Sequence, residues 1–155
     1  MKKLHFLIFA ALTFIVLSCT KEYPEPVYTP EKNTWLVNTD TFGPTNFKYY
    51  DTANLMYGGI KGVGSVTIKF REKPKADGEF VFREKADEVN EISILIIDSV
   101  SKIYWQSTDN DGLALKGEQF TNVTVNGSNI GVAFNNKWLK RTDNVDKAKV
   151  SINIE

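Results

Sequence analysis

Three acidic residues stand at a spacing that resembles a calcium-binding loop. Ser107 to Gly112 followed by Glu118 nearly fits the pattern D-x-[DN]-x-[DN]-G-x5-E, in which Asp109, Asp111 and Glu118 would supply the oxygen ligands that a hard cation requires. Ser107 replaces the first Asp, and both flanks have the alternation of strands where an EF-hand needs helices. We therefore predict a polar hairpin turn here, and no metal or cofactor.

Exposed aromatic rings are the second feature that could bind a ligand, because a flat ring can stack on the face of a sugar. Neighbouring residues of a strand face opposite sides, so only one residue of the pair Tyr49 and Tyr50, and one of Tyr104 and Trp105, can lie in a single core. Tyr50, Trp105 and Trp138 are our candidates for glycan contacts. The alternative is that these rings form core or cross-strand pairs.

Two tripeptides, Asp51-Thr52-Ala53 and Asp98-Ser99-Val100, resemble the O-glycosylation motif of Bacteroidota. Thr52 and Ser99 would be the acceptors. Turn capping by the Asp side chain explains either tripeptide equally well.

The N-terminal residues predict that the protein is located in the cell envelope. Lys2 and Lys3 precede an apolar run from Leu4 to Leu17, which is shorter than the roughly 20 residues of a membrane-spanning helix. The run ends in Ser18-Cys19, which resembles the bacterial lipobox, where the Cys becomes the first mature residue and is acylated, as by palmitate. We predict a signal peptide over 1–18 and lipidation of Cys19; the alternative is an uncleaved anchor or a buried cytosolic thiol.

Removal of that peptide excludes several kinds of chemistry. The only His is His5, and the only Cys would carry lipid, so the mature chain has no Ser-His-Asp triad, no Cys nucleophile and no zinc site built from His or Cys. The 19 basic and 19 acidic side chains of the whole chain give no basic excess for nucleic acid. Catalysis would have to rest on carboxylates, Lys or Tyr, as in a carboxylate-dependent glycoside hydrolase that uses Asp109, Asp111 and Glu118.

A proline-rich segment separates Cys19 from the domain. Pro24, Pro26 and Pro30 favour extended polyproline II, so residues 19–32 are predicted to be a tether of about 40 Å. In enteric lipoproteins an Asp after the Cys retains the protein at the inner membrane, and Thr20 is not Asp. The prediction is therefore an outer-membrane anchor, with the periplasmic or external side left open.

The elements that must position these residues are strands. From Asn33 onward apolar and polar residues alternate with period two, as in Val66, Ile68 and Phe70, and turn residues such as Asn126-Gly127 separate the runs. Ile92 to Ile97 predicts a central strand, and Glu84 to Glu91 a charged loop. We predict eight or nine strands in one antiparallel β-sandwich over 33–155, with a small β-barrel as the alternative. The expected core aromatics are Trp35, Phe47, Tyr49, Phe70, Phe80, Phe82, Phe120 and Phe134.

The order of these segments carries a family resemblance. Trp35-Leu36-Val37-Asn38, Gly64 to Phe70, Gly78 to Phe82 and Val123 to Phe134 together resemble small Bacteroidota lipoproteins to which no activity is assigned. The resemblance implies a β-sandwich in the envelope and no catalytic signature. The predicted function is a non-catalytic binding or structural module, anchored to the membrane by lipid, whose partner is a glycan or another envelope protein.

Overall fold

The structure is a computed structural model, and it describes residues 29–109, 113, 115 and 117–155. These residues form eleven strands and one short 3-10 turn, Asp51–Ala53. The strands are β1 (Thr34–Val37), β2 (Asp40–Phe42), β3 (Lys48–Tyr50), β4 (Leu55–Ile60), β5 (Gly64–Phe70), β6 (Gly78–Phe82), β7 (Glu91–Asp98), β8 (Ile103–Gln106), β9 (Phe120–Asn126), β10 (Asn129–Arg141) and β11 (Lys147–Ile154).

All eleven strands belong to one sheet, which closes into a small barrel. The closed ring is β6-β7-β8-β10-β9, while β5, β4 and β3 continue outward from β7 and β11, β1 and β2 continue from β10. Every pairing is antiparallel except the two-residue contact of β6 with β7. The all-β prediction is confirmed, and of the two architectures that the sequence left open the barrel is the one that forms.

The period-two pattern buries one side of each long strand. Val66, Ile68 and Phe70 of β5 lie in the same core as Ile94 of β7 and Ile152 of β11. Edge-to-face aromatic pairs join separate strands in this core, with ring centroids 5.1 Å apart for Phe82 and Phe134, 5.7 Å for Phe70 and Phe80, and 6.2 Å for Trp35 and Phe47. Burial of these apolar faces is what holds the barrel closed.

Phe120 is the one predicted core aromatic that lies on the surface, with 37% of its area exposed. It begins β9, in which Thr121 and Val123 are the buried residues, so alternation places Phe120 on the outer side. The Asn126-Gly127 hairpin is confirmed: Asn126 pairs with Asn129, and Gly127 has a positive φ of 63°. Residues 84–90 form the predicted charged loop.

The end of the predicted tether packs on the barrel. Pro30 is buried and its carbonyl accepts a hydrogen bond of 3.0 Å from Asn153, while Lys32 forms an ion pair of 3.1 Å with Glu155. Residues 29–32 therefore belong to the folded domain. The signal peptide over 1–18, Cys19 and the tether up to residue 28 lie outside the described residues. Within the part of the chain that the structure describes, no helix is long and apolar enough to cross a bilayer.

Candidate functional site

Residues that are paired directly from one strand to the next form a continuous row across the outer surface of seven strands. Successive Cα partners run from β3 to β11 through Lys48, Tyr57, Thr67, Leu95, Gln106, Lys140 and Lys147, which we call the outer row. Chain neighbours of these residues include the buried side chains of Val66, Ile94, Trp105 and Leu139, which lie on the inner face. Six strand spacings of about 4.8 Å make the row roughly 29 Å long, measured across the strands.

A groove of about 430 Å³ lies over the middle of the outer row. Its floor is formed by side chains of three adjacent strands, and its wall by the loop 84–87. We call this hollow the outer groove. The floor residues are Thr67, Lys69, Ser93, Leu95 and Gln106. Hydroxyl, ammonium, aliphatic and amide groups therefore lie together on a surface that the strands hold fixed.

The floor side chains themselves hold the wall in place. The carbonyl oxygen of Glu84 accepts hydrogen bonds from Ser93 Oγ at 2.8 Å and Gln106 Nε2 at 3.2 Å. Further along the loop, one carboxylate oxygen of Glu91 accepts from the backbone N–H groups of Asp87 at 2.8 Å and Glu88 at 2.9 Å. The outer groove is therefore built before any ligand arrives, which lowers the ordering entropy that binding must overcome.

Arg83 links this wall to the strand that follows the loop and to Glu118. Its guanidinium lies 3.2 Å from Glu91 Oε1, 2.6 Å from Glu118 Oε1 and 4.0 Å from Asp109 Oδ1. The hydrogen bond to Glu118 raises the pKa of Arg83. Partial burial alone would raise the pKa of Glu91, but the N–H donors of Glu88 and Asp87 together with Arg83 outweigh burial and lower that pKa.

Two exposed tyrosines lie close to the outer groove, Tyr57 paired with the floor residue Thr67 and Tyr104 two residues before the floor residue Gln106. Tyr57 on β4 is 42% exposed and Tyr104 on β8 is 45% exposed. They lie three strand spacings apart, about 14 Å across the strands. The Tyr57 hydroxyl lies over Gly59, where an added Cβ would come within 2.8 Å of that oxygen, so glycine here leaves the ring in place without a shift. Both rings are available for stacking.

The chain matches no family model, no curated protein and no solved structure. Its function is therefore inferred from the geometry of its own residues.

The three glycan candidates have different positions. Tyr50 is 41% exposed on the outer face of the edge strand β3, and Trp138 is half-buried on the outer face of β10. The prediction of an exposed ring at Trp105 is wrong, because Trp105 is 9% exposed and packs in the core. Alternation along β8 turns Tyr104 outward instead, so Tyr104 is the exposed ring of this pair. Tyr57 was missed because its exposure depends on Gly59 and on the register of β4.

Two of the three acidic residues of the calcium-like motif, Asp109 and Glu118, lie beside the guanidinium of Arg83, at 4.0 Å and 2.6 Å. Asp111 lies outside the described residues. The flanks are strands, β8 and β9, as predicted. In the described part of the chain no group of three or more His, Cys, Asp or Glu side chains is placed to hold a metal ion.

Both predicted O-glycosylation acceptors, Thr52 and Ser99, are exposed. The Asp before each has a structural partner. Asp98 Oδ1 accepts backbone hydrogen bonds of 2.9 Å from Val100 and 3.0 Å from the next residue, and Asp51 forms an ion pair of 2.8 Å with Lys73. Turn capping is therefore present at Asp98, and use of either hydroxyl as an acceptor stays a prediction.

Proposed function

We propose that this chain is an outer-membrane lipoprotein, anchored by lipid on Cys19, whose barrel is a non-catalytic module that binds a glycan along the outer groove. The observation that carries the proposal is the outer row, which joins the exposed ring of Tyr57 to the polar floor at Thr67 and Gln106. The tether would hold this face away from the lipid surface. The periplasmic and external sides of the membrane are equally compatible with the proposal.

The chemistry of the face suits a sugar chain. A pyranose has an apolar C–H face and a rim of hydroxyls, so it needs flat rings beside short polar side chains. Tyr57 and Tyr104 supply the rings, and Thr67 on β5 and Gln106 on β8 supply hydrogen-bonding groups next to them. The groove lining contains two lysines, Lys69 and Lys85, and two acids, Glu84 and Asp87, so the groove itself is balanced in charge.

The carboxylates beside the groove support a binding role over hydrolysis. A glycoside hydrolase needs one carboxyl group as a proton donor and a second as a base or nucleophile. Glu91 accepts hydrogen bonds from Arg83, Asp87 and Glu88, and Glu118 accepts one from the same Arg83. These acids act as acceptors that hold the loop.

A carboxylate-dependent hydrolase is the second candidate. It is favoured by a hollow of about 380 Å³ on the other side of the loop, which Glu88, Glu91 and Asp109 line together with Arg83. Incubation with each oligosaccharide named below, followed by a reducing-end assay, separates the two candidates. We expect no release of reducing ends; release that stops in Asp109→Asn would favour the hydrolase.

Isothermal titration of the mature lipidated protein in detergent tests the binding role. The probes are hexamers of maltose, cellulose and xylan type, a galacturonic acid hexamer and a heparin hexasaccharide. We expect at least one to bind, and Tyr57→Ala and Tyr104→Ala each to weaken binding by about tenfold. Phe120→Ala, an exposed aromatic outside the outer row, is the matched control. Binding that neither tyrosine variant weakens, or no binding to any probe, would contradict the proposal.

A further inference from the structure

We infer that the glycan is anionic and that its acidic groups bind a cluster of lysines at the end of the outer row. This inference rests on the proposed function and specifies its ligand. On β10 and β11, Trp138 lies opposite Lys149 and Lys140 lies opposite Lys147. These four residues, which we call the basic block, share the outer face because the residues between them, Leu139 and Ala148, are buried.

The pairing of Lys140 with Lys147 is unfavourable for the fold itself. Side chains directly opposite in an antiparallel pair have Cβ atoms about 4.5–5.5 Å apart, and like charges at that distance repel. Lys149 adds a third ammonium group on the same face, two residues from Lys147. A protein selected for stability alone would place opposite charges here, whereas a bound anion removes the repulsion.

Trp138 keeps two of these ammonium groups close together. Lys147 Nζ lies 5.3 Å and Lys149 Nζ lies 5.4 Å from the centre of the indole ring, both within the range of a cation–π contact. Lys147 Nζ also donates a hydrogen bond of 3.4 Å to the carbonyl of Leu113. The charges are therefore gathered around one ring.

The acids of the adjoining turn pair with another cation. Arg141 binds Asp143 at 2.6 Å and has Asp146 at 3.7 Å. Since those two carboxylates face Arg141, they do not neutralise the pair Lys140 and Lys147.

The basic block is continuous with the outer groove. Lys140 lines a hollow of about 140 Å³ together with Glu84 and Gln106, and those two residues also line the outer groove. Along the outer row Lys140 is the next residue after Gln106 and Lys147 follows it. A chain that stacks on Tyr57 and passes Gln106 therefore reaches the lysines after about four strand spacings, roughly 19 Å.

A matched pair of probes tests the inference on the mature lipidated protein. One is the galacturonic acid hexamer, and the other is its fully methyl-esterified form, which has the same sugar rings without charge. We expect the acid to bind at least about tenfold more tightly at about 50 mM NaCl, and most of that difference to disappear at about 500 mM. A heparin hexasaccharide, which carries sulfate groups in addition to carboxylates, should also bind more tightly than the ester.

Single variants locate the effect. Lys140→Gln and Lys147→Gln should each weaken binding of the acid by about fivefold, which corresponds to one exposed charge contact, and leave binding of the ester unchanged. Lys61→Gln, in the exposed turn between β4 and β5, is the matched control. Lys147→Glu, which replaces an ammonium group by a carboxylate at the same position, should abolish binding of the acid.

The outcomes separate the two proposals. Equal binding of acid and ester would overturn the anionic ligand and leave the glycan module standing. If Lys61→Gln weakens binding of the acid as much as Lys147→Gln does, the effect comes from overall charge. That result would overturn the basic block as the binding site. If neither probe nor any other oligosaccharide binds, both proposals fail.

Discussion

Glu91→Gln should loosen the wall of the outer groove without altering its floor. The carboxylate accepts three hydrogen bonds, from Arg83 Nε at 3.2 Å and from the N–H groups of Asp87 at 2.8 Å and Glu88 at 2.9 Å. A glutamine keeps one acceptor oxygen, so its NH₂ group must face either the guanidinium or the two backbone donors. On that side an N–H donor of the glutamine then faces another N–H donor, and the hydrogen bonds made there by Glu91 are lost.

The loss of unfolding free energy is large because the Glu91 side chain is only 12% exposed. Hydrogen bonds to a charged group contribute about 1.5–3 kcal/mol, so with one oxygen retained we expect a loss of about 2 kcal/mol. For a domain of this size that lowers the melting temperature by roughly 6–10 °C.

The effect should depend on pH in a defined direction. The folded pKa of Glu91 lies below its ordinary value of 4.5, so the stabilisation is complete above that value and is lost as pH falls through the folded pKa. The stability gap between wild type and Glu91→Gln should therefore be constant near neutral pH and narrow below about pH 4.5.

Urea unfolding at several pH values measures this gap, and hydrogen exchange of the Asp87 and Glu88 amides reports on the wall directly. Glu79→Gln, an exposed acid on β6, is the control and should match wild type. A gap of less than about 0.5 kcal/mol, or one that does not narrow in acid, would refute the role given to Glu91.

Three further predictions concern the anchor, metal binding and the base of the loop. Cys19→Ala should abolish acylation and detergent-phase partitioning; unchanged partitioning would contradict the anchor. Millimolar calcium and a chelator should give melting temperatures within about a degree, because Glu118 is bound to Arg83, and a shift of several degrees would contradict this. Ser107→Ala should lower the free energy of unfolding by about 2–4 kcal/mol, because the buried hydroxyl accepts a hydrogen bond from the Ile94 N–H and donates one to the Arg83 carbonyl. Ser99→Ala, at an exposed serine, is the control and should not lower it. Equal unfolding midpoints for the two variants would contradict this prediction.

The fold class follows from alternation, which is a local property of the sequence. The runs around Ile68 and Ile152 predicted strands and identified which residues are buried, and Asn126-Gly127 predicted its hairpin. Closure into a barrel was not predictable, because it depends on the contacts of β8 with both β7 and β10, which are far apart in the chain. The three-residue strands β2 and β3 are too short to show a period.

The candidate site was predicted in part, and the failures share one cause. Alternation required one of Tyr104 and Trp105 to face outward, but which one depends on the register with β7. The outer row could not be foreseen, since it needs six cross-strand registers at once. Arg83 and Glu91 gave no sequence signal because they meet only when the loop between them folds back.

Amide chemical-shift mapping during a titration tests the central claim most directly. The mature lipidated protein, labelled with ¹⁵N in detergent, would be titrated with the galacturonic acid hexamer. We predict saturable shifts on the outer row, at Tyr57, Thr67, Leu95, Gln106 and Lys140, and at Tyr104 beside it, with none at Phe120. Saturable shifts that cluster elsewhere on the barrel, with the outer row unmoved, would contradict the account.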